Sequence, residues 1–193
     1  MDSKSKITKK EYYKLSVYNM FRLTEKICKY FFYKLIRTPF LMRIEYHVVD
    51  HCNLNCAACE HFSNIAPEGY RDIDEFDKEI AAISAKVKLD EFRIMGGEPL
   101  LHPKIESFFE TARKHFPKTR ITLCTNCVLL KKMNMVFWNS MRKNNIGISV
   151  TVYPPMKDQF NEIIRLIKEN KVGITHMHLA DIFDRGMNMG GVW

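Results

Sequence analysis

Apolar residues follow two alternating periods along this chain, and the alternation predicts its fold. After position 43, short apolar or every-second-residue runs give way repeatedly to longer segments with apolar residues every three or four positions. The short runs are typical of strands and the longer segments of amphipathic helices. Predicted strands cover residues 43–49, 91–95, 120–124, 147–153 and 172–179, and predicted helices cover residues 72–88, 103–115, 131–144 and 158–170.

Strands that alternate with helices indicate a parallel β/α sheet. Eight such units take about 250 residues, or roughly thirty each. The 151 residues from position 43 onward therefore accommodate five such units at that spacing. We expect an α/β fold, a partial (β/α) barrel with parallel strands over residues 43–193, in which residues 181–193 are loop-like.

Residues 1–42 are expected to form a separate, basic helical extension. Its helix, residues 9–37, has one apolar face and ends before Pro39, because proline disfavours helical geometry in the residue before it. The apolar face consists of Val17, Phe21, Thr24, Cys28, Phe31 and Leu35, and Arg22, Lys26, Lys29 and Arg37 lie largely off it.

The net charge of the chain resides in this extension. Residues 1–43 hold eleven Lys and Arg residues against three acidic ones, whereas the rest of the chain carries 19 of each sign. A neutral barrel with a basic arm argues against nucleic acid as a partner. Two hypotheses remain for residues 9–37: the helix packs on its own barrel with its lysines in water, or it lies on an anionic membrane or against an acidic partner.

Composition indicates a folded domain in a reducing compartment. The chain is 46% hydrophobic and 27% charged, which suits a domain with a substantial core. The lysine-rich start lacks the features of a signal peptide, so we expect a cytoplasmic location, with the basic helix allowing a position peripheral to the inner face of the membrane. Six cysteines in such a location indicate metal chemistry rather than disulfides.

Three of these cysteines lie within eight residues, directly after the first predicted strand. Cys52, Cys56 and Cys59 are close enough in sequence to reach one metal centre from a single loop. Thiolates favour iron–sulfur clusters or zinc, and three of them leave a fourth coordination position open. The alternatives are three unrelated buried cysteines, a disulfide with one cysteine left over, or a structural zinc site. Candidates to complete such a zinc site are His47, His51 and His61.

This spacing resembles the cluster-binding motif of the radical S-adenosylmethionine (radical SAM) superfamily. Two further motifs strengthen the resemblance. Residues 96–99 read Gly-Gly-Glu-Pro at the end of the second predicted strand, and Thr125 and Asn126 end the third, where relatives often have Thr-Asn-Gly. The three motifs lie in family order and cover most of the chain after position 43.

The resemblance implies two cofactors, a 4Fe–4S cluster on the three cysteines and S-adenosylmethionine. One electron would cleave S-adenosylmethionine to a 5′-deoxyadenosyl radical, which abstracts hydrogen from a substrate. Glu98 is the expected acceptor for the amino group of S-adenosylmethionine, since the paired glycines let the backbone approach closely. The residues expected to contact S-adenosylmethionine are Gly96, Gly97, Glu98, Pro99, Asn126, Ser149 and Thr151.

The resemblance is less informative about substrate and partners. We expect a carbohydrate-linked or small-molecule substrate first and a peptide second. We also expect a protein electron donor such as flavodoxin or ferredoxin. Family domains resemble partial barrels of six units, so this chain is expected to lack the last strand and a substrate-binding segment. The rival hypothesis is a catalytically incomplete, metal-binding module that binds partners through its basic helix.

Several residues near the motifs leave their roles open. Cys124 and Cys127 form a Cys-x-x-Cys pair that could ligate an auxiliary metal, although small-residue substitution at a strand end is the preferred interpretation. His61 and Ser63 are expected to support the cysteine loop rather than face substrate. Ala58 stands where the family often has an aromatic residue, so we expect no shielding ring there.

Overall fold

Five parallel strands form the centre of the protein. The computed structural model describes residues 9–56, 59–153, 158–179 and 189–192. The sheet consists of β1 (Phe40–Val49), β3 (Lys88–Gly96), β4 (Arg120–Thr125), β5 (Ile146–Val152) and β6 (Ile174–Leu179) in that spatial order. Every neighbouring pair is parallel. The predicted partial barrel with five β/α units is therefore confirmed.

Helices cover one face of this sheet, as the alternation predicts. They are α2 (Ile73–Lys86), α3 (Ile105–His115), α4 (Met135–Lys143) and α5 (Phe160–Glu169). Asp72 begins α2 because its carboxylate accepts hydrogen bonds of 2.9 Å from Asp74 N and 3.1 Å from Glu75 N. The core between helices and sheet is aromatic, with Phe76 contacting both Phe92 and Phe108. The residues that alternate with this core line the opposite, concave face.

The helix α1 (Lys9–Leu35) lies across the amino ends of the strands in an unexpected orientation. Lys29 Nζ is 3.1 Å from Asp90 Oδ1, and the ring of Tyr33 stacks on Phe40, the first residue of β1. Over residues 20–35, the apolar side chains instead face outward. The hypothesis that α1 packs its apolar face on the barrel with its lysines in water is therefore wrong for this part of the helix, because buried Asp90 attracts the lysines inward.

A second small sheet departs from the loop prediction for residues 181–193. The strand β2 (Leu54–Cys56) lies inside the cysteine loop and pairs antiparallel with β7 (Met189–Val192). The expectation of loop structure is thus wrong for residues 189–192, and residues 181–188 lie outside the described part of the chain. Neither strand has a periodic pattern, because each is only three or four residues long.

Membrane-spanning segments are not found among the described residues. None of the helices there combines the length and the apolar character needed to cross a bilayer.

Candidate active site

A cavity of about 210 Å³ lies at the carboxyl ends of β1, β3, β4 and β5. This is the end of a parallel barrel where active sites are built. All three predicted motifs reach it, although they are far apart in sequence. The cavity is lined by Cys52, Leu54, Cys56, Cys59, His61, Ser63, Met95, Gly96, Gly97, Cys124, Thr125, Asn126, Thr151 and Tyr153.

The cysteine loop forms one wall of this cavity. Cys52 Sγ accepts a hydrogen bond of 3.4 Å from Leu54 N, which folds the loop back on itself. Burial raises the pKa of Cys52 to about 11 and also raises the pKa of Cys56. Within the described ranges, no three His, Cys, Asp or Glu side chains are arranged to enclose a metal ion. A cluster binds cysteines as thiolates, so binding at this loop would release the protons of the three thiols.

Paired glycines join β3 to the start of the cysteine loop. Gly97 N donates to Val49 O at 2.9 Å, and Glu98 N donates to His51 O at 3.2 Å. A Cβ atom on Gly97 would lie 2.1 Å from His51 O, and one on Gly96, which has a φ of +154°, would lie 2.3 Å from Val49 O. Only glycine permits this approach. Both glycines line the cavity, as predicted for backbone close to a ligand.

Glu98 lies behind the cavity wall rather than in it. Its side chain is fully buried, and its carboxylate accepts hydrogen bonds from Leu100 N, Thr125 Oγ1 and Asn126 N. Burial raises the pKa of Glu98 to about 7, against the effect of these three donors. Glu98, the expected acceptor for the amino group of S-adenosylmethionine, thus does not line the cavity in this structure, because its carboxylate is turned toward the end of β4. Pro99 is buried beside it and begins a short 3₁₀ helix, Pro99–Leu101.

Asn126 connects the end of β4 to the cysteine loop. Its backbone is held by Glu98, and its side-chain amide donates 2.7 Å to Asn53 Oδ1 and lies 3.7 Å from Cys52 Sγ. The predicted Asn126 therefore lines the cavity and also orients the first cysteine.

The two residues predicted from β5, Ser149 and Thr151, lie at different depths. Thr151 lines the cavity, whereas Ser149 is buried deeper, opposite Cys124 in the sheet register. Tyr153, which the prediction missed, continues the same face and also lines the cavity. Its pKa is raised by burial and by the nearby thiols. Ala58, where no shielding ring is expected, lies outside the described residues. Tyr153 places a phenol ring at this cavity.

Cys124 and Cys127 point in different directions. Cys124 lines the cavity, while Cys127 is fully buried in the hydrophobic core and its thiol contacts Thr125 O at 3.6 Å. Cys127 has a φ of +68°, a conformation that glycine adopts without strain, and glycine is the residue expected here from the resemblance. The pair therefore does not form a joint metal site in this structure, and Cys127 fits the interpretation of a small-residue substitution.

The nearby histidines make other contacts. His51 Nδ1 accepts a hydrogen bond from Gly69 N, and the ring of His47 packs edge-on against His61 at 4.6 Å. Burial lowers the pKa of His47. His61 and Ser63 both line the cavity next to the cysteine loop. In the described residues none of these histidines joins two cysteines in a metal-binding arrangement.

Charged residues on the concave face form a floor beneath the cavity. Glu91 is almost fully buried and is 3.1 Å from Arg43 Nε, 3.3 Å from Arg93 Nε and 3.1 Å from Thr122 Oγ1. Burial raises the pKa of Glu91, but Arg93 and His176, with the hydrogen bonds from Thr122 and Arg43, outweigh it and lower the pKa overall. This floor was not predicted from sequence, although Glu91 and Arg93 are two positions apart on β3 and therefore share a face.

Residues 46–184 match the family model described as the radical SAM superfamily. The chain belongs to the radical SAM superfamily. Members use a 4Fe–4S cluster and S-adenosylmethionine. Among curated proteins, the GTP 3′,8-cyclase of Peptoclostridium acidaminophilum is 29% identical over 151 residues, covering 73% of this chain and 46% of that protein. That of Thermodesulfovibrio yellowstonii is 32% identical over 107 residues, covering 52% of this chain and 33% of that protein. The chain thus spans half or less of the length of these relatives.

Solved structures agree on the fold of this radical SAM domain. BtrN in complex with AdoMet and 2-DOIA superposes with a TM-score of 0.54 at 17% identity, covering 75% of this chain and 59% of that one. The enzyme anSMEcpe with bound AdoMet gives a TM-score of 0.56 at 18% identity, covering 72% of this chain and 43% of that one. At these identities the likeness establishes the architecture alone.

The donor chemistry of the cavity fits the superfamily's cofactors. Three thiols occupy one wall, which suits iron better than the oxygen-preferring metals. Across the cavity are the backbone of Gly96 and Gly97, the amide of Asn126 and the hydroxyl of Thr151. These neutral donors and acceptors suit the amino, carboxylate and ribose groups of S-adenosylmethionine.

Proposed function

We propose that this chain is the catalytic core of a radical SAM enzyme in which Cys52, Cys56 and Cys59 hold the cluster. The observation that carries the proposal is that these cysteines, the paired glycines and Asn126 line one cavity, although Asn126 is 74 positions from Cys52. When bound, the reduced cluster supplies the electron that cleaves S-adenosylmethionine to methionine and a 5′-deoxyadenosyl radical, which abstracts hydrogen from the substrate.

The protein's own contribution is positioning. Gly96 and Gly97 provide backbone at close range, with Thr151 and Asn126 as the polar side chains of the S-adenosylmethionine wall. Glu98 acts from behind this wall, since it holds Thr125 and Asn126 in place through hydrogen bonds of 2.7 Å and 2.9 Å. Ser149, on the same face of β5 as Thr151, is buried below the cavity and does not line it.

For the substrate, we propose a small, hydroxyl-bearing molecule or a carbohydrate-linked group rather than a peptide. The concave face below the cavity is polar, and its charges balance, because Arg43 and Arg93 are matched by Glu45 and Glu91 within 3.6 Å. A balanced polar floor suits hydroxyl groups better than a strongly charged or apolar side chain. The curated relatives, named GTP 3′,8-cyclase, are named for a small-molecule substrate.

An electron donor is the second partner that this chemistry requires. A small one-electron carrier such as flavodoxin or ferredoxin fits the role. Because reduced carriers and oxygen-labile clusters persist in reducing surroundings, we propose a cytoplasmic location.

The test is anaerobic reconstitution with iron and sulfide, followed by dithionite, S-adenosylmethionine and one of three candidates: a nucleotide, an amino sugar or a peptide. We expect 5′-deoxyadenosine to form, and to form faster with a small hydroxyl-bearing candidate. Cys59→Ala should abolish it. A preference for the peptide would contradict the proposed substrate class but not the radical chemistry.

A second candidate function is a catalytically incomplete, metal-binding module. It is favoured by the apolar side chains of α1, which face outward over residues 20–35, where a partner can reach them. In that case a cluster or zinc would bind, but no 5′-deoxyadenosine would form with any candidate. Zinc bound in place of a cluster would contradict the radical SAM activity and leave the metal-binding module standing.

A further inference from the structure

The outward half of α1 is an apolar surface that the rest of the described chain leaves uncovered. Phe21 is 67% exposed, Phe31 62% and Leu35 82%, values that are high for large apolar side chains. At 3.6 residues per turn the exposed apolar residues extend over about half of the helix circumference. The apolar surface comprises Met20, Phe21, Leu23, Ile27, Tyr30, Phe31, Phe32 and Leu35.

The charges of α1 explain why this surface faces outward. Lys26 and Lys29 contact the carboxylate of Asp90, whose side chain is 5% exposed, at 4.0 Å and 3.1 Å. Glu25 pairs with the same Lys29 at 2.6 Å. Turning α1 over would leave the buried carboxylate of Asp90 without its counter-ions, which is strongly destabilising for a buried charge. The outward orientation is therefore fixed by the charged face.

We propose that the apolar surface of α1 docks on an anionic phospholipid bilayer, with the helix lying in the plane of the membrane surface. Basic residues lie on and beside the apolar surface. Lys34 projects from it, with Nζ 5.9 Å from the ring centre of Tyr30, Arg37 follows the helix, and Lys88 and Lys118 are exposed at the same end of the sheet. An aromatic, apolar face with basic residues on and beside it matches an interfacial helix on anionic lipid.

The same geometry gives the orientation of the domain on the membrane. Asp90 and Phe40, which hold α1, lie near the amino ends of β3 and β1, whereas the cavity lies at the carboxyl ends. The membrane would therefore contact the end of the barrel opposite the cavity mouth. Substrate and electron donor then reach the cavity from the aqueous side. This docking does not depend on the proposed radical chemistry.

Sedimentation of the full chain with vesicles tests the docking. The probe is phosphatidylcholine vesicles with and without phosphatidylglycerol. We expect binding only to the anionic vesicles, weakened by added salt. The double change Phe31→Ser with Leu35→Ser should weaken it by about tenfold or more, because two large side chains lose their burial in lipid. Lys34→Glu should weaken it about fivefold.

A matched control separates docking from general loss of apolar surface. Met135→Ser with Val136→Ser removes two residues of α4 that are 58% and 66% exposed, and should leave vesicle binding unchanged. Circular dichroism should show both double variants folded. Equal binding to neutral vesicles, or equal weakening by the control, would overturn the proposal. So would the absence of vesicle binding together with a dimer that Phe31→Ser and Leu35→Ser dissociate, because the apolar surface would then serve a second copy.

Brominated lipid tests the orientation. A Phe31→Trp variant should gain fluorescence that brominated lipid quenches. Ile65 lies near the cavity and is 76% exposed. An Ile65→Trp variant should gain fluorescence that brominated lipid does not quench. Quenching at position 65 would overturn the proposed orientation.

Discussion

The side-chain amide of Asn126 donates a 2.7 Å hydrogen bond to Asn53 Oδ1, across 73 positions of sequence. This bond ties the end of β4 to the cysteine loop, one residue after Cys52. Asn126 is itself fixed by Glu98, which lies behind the wall. The three sequence motifs of the superfamily are thus mechanically coupled through a chain of two hydrogen bonds.

Replacing Asn126 should loosen the cysteine loop before any metal is present. Asn126→Ala removes the bond to Asn53, and one such hydrogen bond contributes about 1 kcal/mol. We expect hydrogen exchange of residues 52–56 to accelerate by about fivefold in the metal-free protein. Asn161→Ala, at an exposed position of α5, is the control. Unchanged exchange in Asn126→Ala would show that the loop is held by other contacts.

The buried Glu98 should make stability depend on pH. Its pKa rises from 4.5 to about 7 on folding, so the folded state holds the proton more tightly than the unfolded chain does. The free energy of unfolding therefore falls as the pH rises through these two pKa values. In Glu98→Gln the effect is absent. We expect the free energy of unfolding of the wild type to fall by about 2.5 kcal/mol relative to the variant between about pH 5 and pH 8.

Urea unfolding of the metal-free protein across this pH range measures the difference. Glu110→Gln, which removes a surface carboxylate of α3, is the control. Parallel stability curves for the wild type and Glu98→Gln would mean that Glu98 stays ionised in the fold, held by its three donors.

Adding one methyl group at Gly97 should disturb both stability and the cysteine loop. The new Cβ would lie 2.1 Å from His51 O, so the backbone before Cys52 must move. We expect Gly97→Ala to cost about 2 kcal/mol or more and to reduce iron retention. Gly173→Ala is the matched control, because a Cβ there meets nothing within 4 Å. Equal stability of the two variants in urea would contradict the close approach.

Periodicity predicted the sheet because its strands are buried on the helix side and its helices are amphipathic. The same alternation also indicates the positions of cavity and floor residues that we did not predict. Thr151 and Tyr153 share one face of β5, so the parity that suggested Thr151 also places Tyr153 at the cavity. The charged residues Glu91 and Arg93 share one face of β3 in the same way and belong to the floor beneath the cavity.

Other features depend on contacts that no local pattern carries. The orientation of α1 follows from the buried Asp90, which lies 61 positions beyond Lys29. The buried position of Glu98 follows from donors at the end of β4, whereas its motif alone suggests an acceptor for the amino group of S-adenosylmethionine. The pairing of β2 with β7 joins segments too short to show a period.

Iron content after anaerobic reconstitution, measured for all six single Cys→Ser variants, tests the central claim most directly. Cys52→Ser, Cys56→Ser and Cys59→Ser should lose the cluster, while Cys28→Ser, Cys124→Ser and Cys127→Ser should keep about four irons per chain, as one cubane cluster requires. Loss of iron in Cys124→Ser or Cys127→Ser equal to that in Cys52→Ser, in folded protein, would contradict the assignment of the cluster to the loop cysteines alone.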